Sequence, residues 1–118
     1  MRRTKEQKAL DEELIRECQG YRTRDNKPDG AYIEKYGRFF NINKIKHLIE
    51  KGADVNAKNK WDNTPLHLAA WGDNMELGKL LIEMGADVNA KGYLDKTPLQ
   101  YAQSEEMKAL LREHGATE

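Results

Sequence analysis

Residues Asn63 to Asn89 read NTPLHLAAWGDNMELGKLLIEMGADVN, and this stretch decides how the chain folds. Thr64 can cap a helix whose first position is Pro65, where a missing N–H costs nothing and the fixed φ already suits the helix. Leu66, Ala69 and Ala70 share one face of that short helix, and the two alanines let a neighbouring backbone come close. A turn at Gly72-Asp73-Asn74 leads into a second helix carrying Met75, Leu77, Leu80, Leu81 and Ile82. These are too many apolar positions for one narrow stripe, so the helix is expected to pack on both flanks. Gly85 ends it in a left-handed cap, and Asp87 to Asn89 leads out extended. A single unit of this kind cannot bury its two apolar flanks, whereas stacked units can.

Working outward, the stretch repeats. Thr64-Pro65-Leu66 returns as Thr97-Pro98-Leu99, and Gly52-Ala53-Asp54-Val55-Asn56-Ala57-Lys58 returns as Gly85-Ala86-Asp87-Val88-Asn89-Ala90-Lys91. The period of about 33 residues and the Thr-Pro-Leu-His start are those of ankyrin repeats. From roughly Asn26 to Ala116 the chain resembles the ankyrin repeat family. The resemblance implies an all-α solenoid of about three helix-turn-helix repeats with short hairpin loops. The expected division is a divergent first repeat over 31–58, a full repeat over 59–91 and a shortened C-terminal capping repeat over 92–118, preceded by an N-terminal helix and loop over 1–30.

The N-terminal helix lies outside the repeat pattern. Thr4 and Gln7 form a capping box, and Leu10, Leu14, Ile15 and Cys18 follow along one side, with Lys, Glu, Asp and Arg opposite. It is expected over about Thr4 to Gln19, as a cap on the open end of the stack or as a detachable partner-binding helix. Lys27-Pro28-Asp29-Gly30 is the strongest turn signal in the polar stretch that follows.

Asp29, Asp62 and Asp95 coincide in the repeat register, where the family pattern usually has a glycine. Aspartate tolerates positive φ better than most residues, so all three are expected in turns. The first unit has Ala31-Tyr32-Ile33-Glu34 in place of Thr-Pro-Leu-His, and its second helix is marked by Ile42, Ile45, Leu48 and Ile49. Tyr36, Phe39 and Phe40 are expected between this unit and the N-terminal helix, or on the binding surface. In the last unit Gln100 replaces the histidine, Gln103 replaces an alanine, and the equivalents of Trp71-Gly72-Asp73 are missing. Met107, Leu110 and Leu111 are predicted inward and Gly115 closes the helix, so the unit reads as a polar end cap and a natural end.

At 118 residues the length suits one domain. The 34% charged content and formal net charge of zero favour neither nucleic acid nor an acidic membrane as bulk partner. No apolar run approaches a membrane span, and Met1-Arg2-Arg3 does not open a signal-peptide core. Cys18 cannot pair within the chain, which suits a reducing compartment, so a cytoplasmic location is expected. His47, His67 and His114 lack partners at metal-ligand spacing, Cys18 belongs to an apolar stripe and Ser104 reads as an N-cap. The glycines do not form a phosphate loop. Neither an enzyme nor a cofactor or metal site is expected.

The resemblance implies a partner protein lying across the concave side, on the hairpin tips and first helices, with the chain a monomer. Carried over residue by residue, the binding positions are Lys60, Trp61, Asn63, Trp71 and Gly72 in the middle unit, and Tyr93, Leu94 and Lys96 in the last. Lys27, Pro28, Gly30, Arg38 and Phe39 are their counterparts in the first. The expected surface has Trp61, Trp71, Tyr93 and Leu94 at its centre and Lys60, Asn63, Asp95 and Lys96 at its rim. Trp and Tyr are enriched among binding hot spots. The alternative for the two tryptophans is to pack on each other or on an adjacent tip and stiffen the hairpins, and the two roles are compatible. Short free-standing proteins of this kind look bacterial, which admits an immunity or effector-type inhibitor as one version. Self-association through the N-terminal helix is a further alternative.

Overall fold

The computed structural model describes residues 3–18 and 42–117. Every regular element among them is helical: α1 (Lys5–Cys18), α2 (Ile42–Glu50), α3 (Pro65–Trp71), α4 (Met75–Glu83), α5 (Pro98–Tyr101) and α6 (Glu105–Glu113), with a short 3-10 turn at Tyr93–Asp95. The arrangement is the expected stack. α3 pairs with α4 and α5 with α6, while α3 also packs on α5 and α4 on α6. α1 packs on α2 and on α3.

Helix starts follow the side chains. Thr64 N donates to His67 Nδ1 at 3.1 Å while Thr64 Oγ1 accepts from His67 N at 3.4 Å. Thr97 and Gln100 repeat that box, with Thr97 N donating to Gln100 Oε1 at 2.9 Å. Asn74 caps α4 and Ser104 caps α6, each accepting from the backbone N–H three residues on. Thr4 and Gln7 form the box expected before α1. At the other ends Gly52, Gly85 and Gly115 have φ of +116°, +101° and +98°, a region closed to most side chains.

The core runs through the stack. Leu66, Ala69 and Ala70 of α3 are fully buried, as are Leu77 and Leu81 of α4 and Met107 and Leu111 of α6. Outside the helices, the repeats are laced by asparagines. Asn56 Nδ2 donates to Gly85 O at 3.3 Å and its Oδ1 accepts from Asp87 N at 2.7 Å. Asn89 does the same one repeat later, to Gly115 O at 3.0 Å and from Thr117 N at 2.9 Å.

Two features go beyond the sequence pattern. The polar side of α1 is not all solvated: Glu17 is only 5% exposed, and with Glu13 it surrounds Lys44 of α2 at 3.4 and 3.2 Å. The physical reason is that α1 turns Leu14, Glu17 and Cys18 inward together. The two tryptophans do not pack on each other; Trp61 lies instead beneath the Lys60 ammonium, 4.4 Å from its ring centre. Asp29, Tyr36, Phe39, Phe40, and the binding positions Lys27, Pro28, Gly30 and Arg38, lie outside the described residues.

Candidate protein-binding surface

Two hairpin tips and two short helices build the surface, and each tip is shaped differently. In the first, Asn59 Oδ1 accepts from the N–H groups of Trp61 and Asn63 at 2.9 and 3.0 Å. Asp62 turns the chain with φ of +65°, as its place in the repeat register predicts. Trp61 is left 51% exposed.

The second tip has Gly92 where the first has Asn59, and so has no side chain to brace its own turn. Asn63 of the first tip supplies the acceptor, its Oδ1 taking Tyr93 N–H at 3.0 Å. Gly92 is buried beneath Asn63 and His67, and a Cβ there would run into Asn63 Oδ1 and His67 Nε2. Lys58 Nζ also donates to Lys91 O at 2.9 Å, a further tie between the tips. Leu94 and Asp95 both have positive φ, +57° and +59°. The aspartate was expected; the leucine was not. A leucine in the left-handed region costs roughly 1–2 kcal/mol, yet this one is 71% exposed and buries little in return.

His67 joins helix to tip. Because its Nδ1 accepts from Thr64 N–H, the ring proton is assigned to Nε2, which donates to Lys96 O at 2.8 Å. Burial holds the imidazole below the usual histidine range, outweighing the backbone bond to Lys96 that favours the charged form. The ring meets Tyr101 edge-on, with centroids 5.4 Å apart.

The shortened last repeat leaves a gap in the row of first helices. α5 stops at Tyr101, a full turn short of the level that α3 reaches at Trp71. The result is a notch of about 170 Å³ lined by Asn63, His67, Leu68, Trp71 and Tyr101. Trp71 stands over it, 62% exposed. Its carbonyl accepts from Gln103 Nε2 at 3.3 Å, and the following turn is pinned by Ser104 Oγ donating to Asp73 Oδ1 at 2.5 Å. The backbone around the indole is thus fixed by the next repeat.

Of the residues singled out from sequence, Asn63 and Trp71 meet in the notch, while Lys60, Trp61, Tyr93, Leu94, Asp95 and Lys96 form the tips. Asn63 is half-buried and braces the second tip as well as lining the notch. Leu68 and Tyr101 were missed, although the three-residue deletion after Gln103 signals that something opposite Trp71 is absent. A second hollow of about 300 Å³, between Leu99, Gln100, Ala102, Lys108 and Arg112, contains none of the expected binding residues.

The notch holds one imidazole already committed to two backbone groups and no carboxylate. Among the described residues no group of three His, Cys, Asp or Glu side chains is placed to hold a metal ion. Burial raises the Cys18 thiol far above its ordinary value, so the thiolate is scarce. No helix among the described residues is long and apolar enough to cross a membrane.

No curated protein matches the chain significantly. The family model for ankyrin repeats matches residues 36–117 in three copies, in agreement with the caps, the glycine-ended helices and the asparagine lacing above. The chain belongs to the ankyrin repeat family.

Proposed function

We propose that this chain is a non-catalytic module that holds a protein partner across its hairpin tips and first helices, with the notch between α3 and α5 taking one apolar side chain of that partner. Ankyrin repeats are in general protein–protein interaction modules. The observation that carries the finer reading is the concentration of exposed apolar side chains here: among the described residues, Trp61, Trp71, Tyr93 and Leu94 are the large hydrophobics left most open to solvent. Leu94 adds weight, because strained backbone tends to persist where function uses it. Lys60, Asn63, Asp95 and Lys96 supply the rim. The partner meets the chain as a monomer in the cytoplasm, and an immunity or inhibitor role is one version of the same contact.

The test is affinity capture from native lysate with the intact chain and with a Trp71→Ala, Leu94→Asn variant whose circular dichroism is unchanged. Hot-spot losses of about 2 kcal/mol or more correspond to a weakening of roughly 30-fold, enough to lose capture. A partner retained equally by both proteins removes the concave-face reading.

A further inference from the structure

The asparagine lacing has an unexpected third rung. Asp54 and Gly52 stand one repeat before Asp87 and Gly85, and their bonds are also made, but by Asp11 of α1 and by Arg3 just before it. Asp54 N donates to Asp11 Oδ1 at 2.6 Å, and Gly52 O accepts from Arg3 Nη2 at 2.7 Å. One asparagine supplies both the acceptor and the donor between later repeats. Here the acceptor is a carboxylate and the donor a guanidinium, and the two are locked to each other through Arg3 Nε and Nη2 at 2.8 and 2.7 Å.

A second correspondence concerns the body of α1. Its buried residues are Leu14, Glu17 and Cys18, spaced as Leu66, Ala69 and Ala70 are in α3. It packs on α2 as α3 packs on α4, and on α3 as α3 packs on α5. The direction agrees too. Arg3, just before α1, and Asp11, in its middle, meet Gly52 and Asp54 beyond the end of α2, while Glu13 and Glu17 in its later half meet Lys44 near the beginning of α2, so the two helices run antiparallel.

We propose that α1 stands to α2 as an inner helix stands to the outer helix of its repeat, and that Arg3 and Asp11 together do for Gly52 and Asp54 what the lacing asparagines do for the later repeats. One segment therefore both packs as an inner helix and supplies the lacing bonds. The pair keeps some access to water, chiefly through Arg3, whose side chain is about one-third exposed. If the concave-face reading holds, the binding row gains one helix, with exposed Arg16 in register with Leu68 and Tyr101.

Amide hydrogen exchange tests this without any partner, so its failure is separate from failure of the binding-face reading. In Asp11→Ala the Asp54 amide should exchange at least about tenfold faster, while the Ala53 amide, bonded to Leu48 O, keeps its protection. Asn56→Ala should do the same to the Asp87 amide, as the reference rung. Asp11→Asn, which keeps the acceptor and offers its own donor, should hold Asp54 protection within about threefold. Unchanged Asp54 exchange in Asp11→Ala overturns the proposal. So does loss of that protection in a folded Asp11→Asn protein, which also decides the matter if the alanine variant fails to fold.

Discussion

His67 satisfies the start of its own helix through Nδ1 and the next hairpin through Nε2, and the first of these bonds requires an unprotonated Nδ1. Protonation would put a hydrogen on Nδ1 facing the Thr64 N–H. Burial lowers the folded pKa below the unfolded one, so the unfolded chain binds more protons in the acid range and stability rises with pH there. The contribution is complete above the unfolded value of about 6.5 and is lost as pH falls through the depressed folded value. Gln100 occupies the equivalent place and caps its helix without an ionisable group. His67→Gln should therefore keep the cap, forfeit the Lys96 bond at about 0.5–1.5 kcal/mol near neutrality, and flatten the fall in melting temperature between about pH 7 and pH 5. A slope that stays as steep in the variant would place the acid sensitivity elsewhere.

At the scale of elements, the sequence spoke clearly wherever a bond is local. The Thr64 and Thr97 caps, the Ser104 cap and the closing glycines are decided within a few residues, and each forms as its pattern predicts. What stayed hidden depends on distant partners. Asp11 and Arg3 find theirs 43 and 49 residues away, and Glu17 lies beside Lys44 of another helix. Leu94 could not be foreseen at positive φ because leucine disfavours it, and the notch was legible as a deletion but not as a space. The second hairpin shows how far one such partner reaches. Its turn lacks the Asn59 brace and depends on Asn63 approaching over bare Gly92. Gly92→Ala should push the hairpin outward and break the Asn63–Tyr93 and His67–Lys96 bonds. The expected cost is about 1–3 kcal/mol, read as a lower denaturant midpoint at unchanged slope. The Tyr93 amide should lose protection while the Trp61 amide, braced by Asn59, keeps it. Equal protection at both tips would show that the hairpin absorbs the methyl without moving.

For the molecule as a whole, the question is whether α1 melts with the stack or apart from it. In a linear array each unit touches only its neighbours, so stability is approximately a sum of unit and interface terms, and an end can fray on its own if its interface is weak. α1 is not weakly joined. Leu14 is completely buried, Cys18 is 1% exposed, and the Arg3–Asp11 pair and the Lys44 cluster tie both ends of the helix to α2 or the segment after it. Its contact with α3 also links it directly to the middle repeat, which carries both Trp61 and Trp71. Those indoles therefore report on a neighbour of α1, while far-ultraviolet circular dichroism reports on all helices. Leu14→Ala should cost about 2–5 kcal/mol, as other buried leucine truncations do, against a total of about 5–15 kcal/mol for a typical domain. The specific expectation is that the tryptophan fluorescence and dichroism midpoints fall together. Coincident transitions mean that α1 belongs to the cooperative unit. A dichroism loss that precedes the tryptophan transition would mean the opposite: α1 and α2 would open first, leaving the two later repeats standing, and the helix would regain the detachable role that its packing argues against.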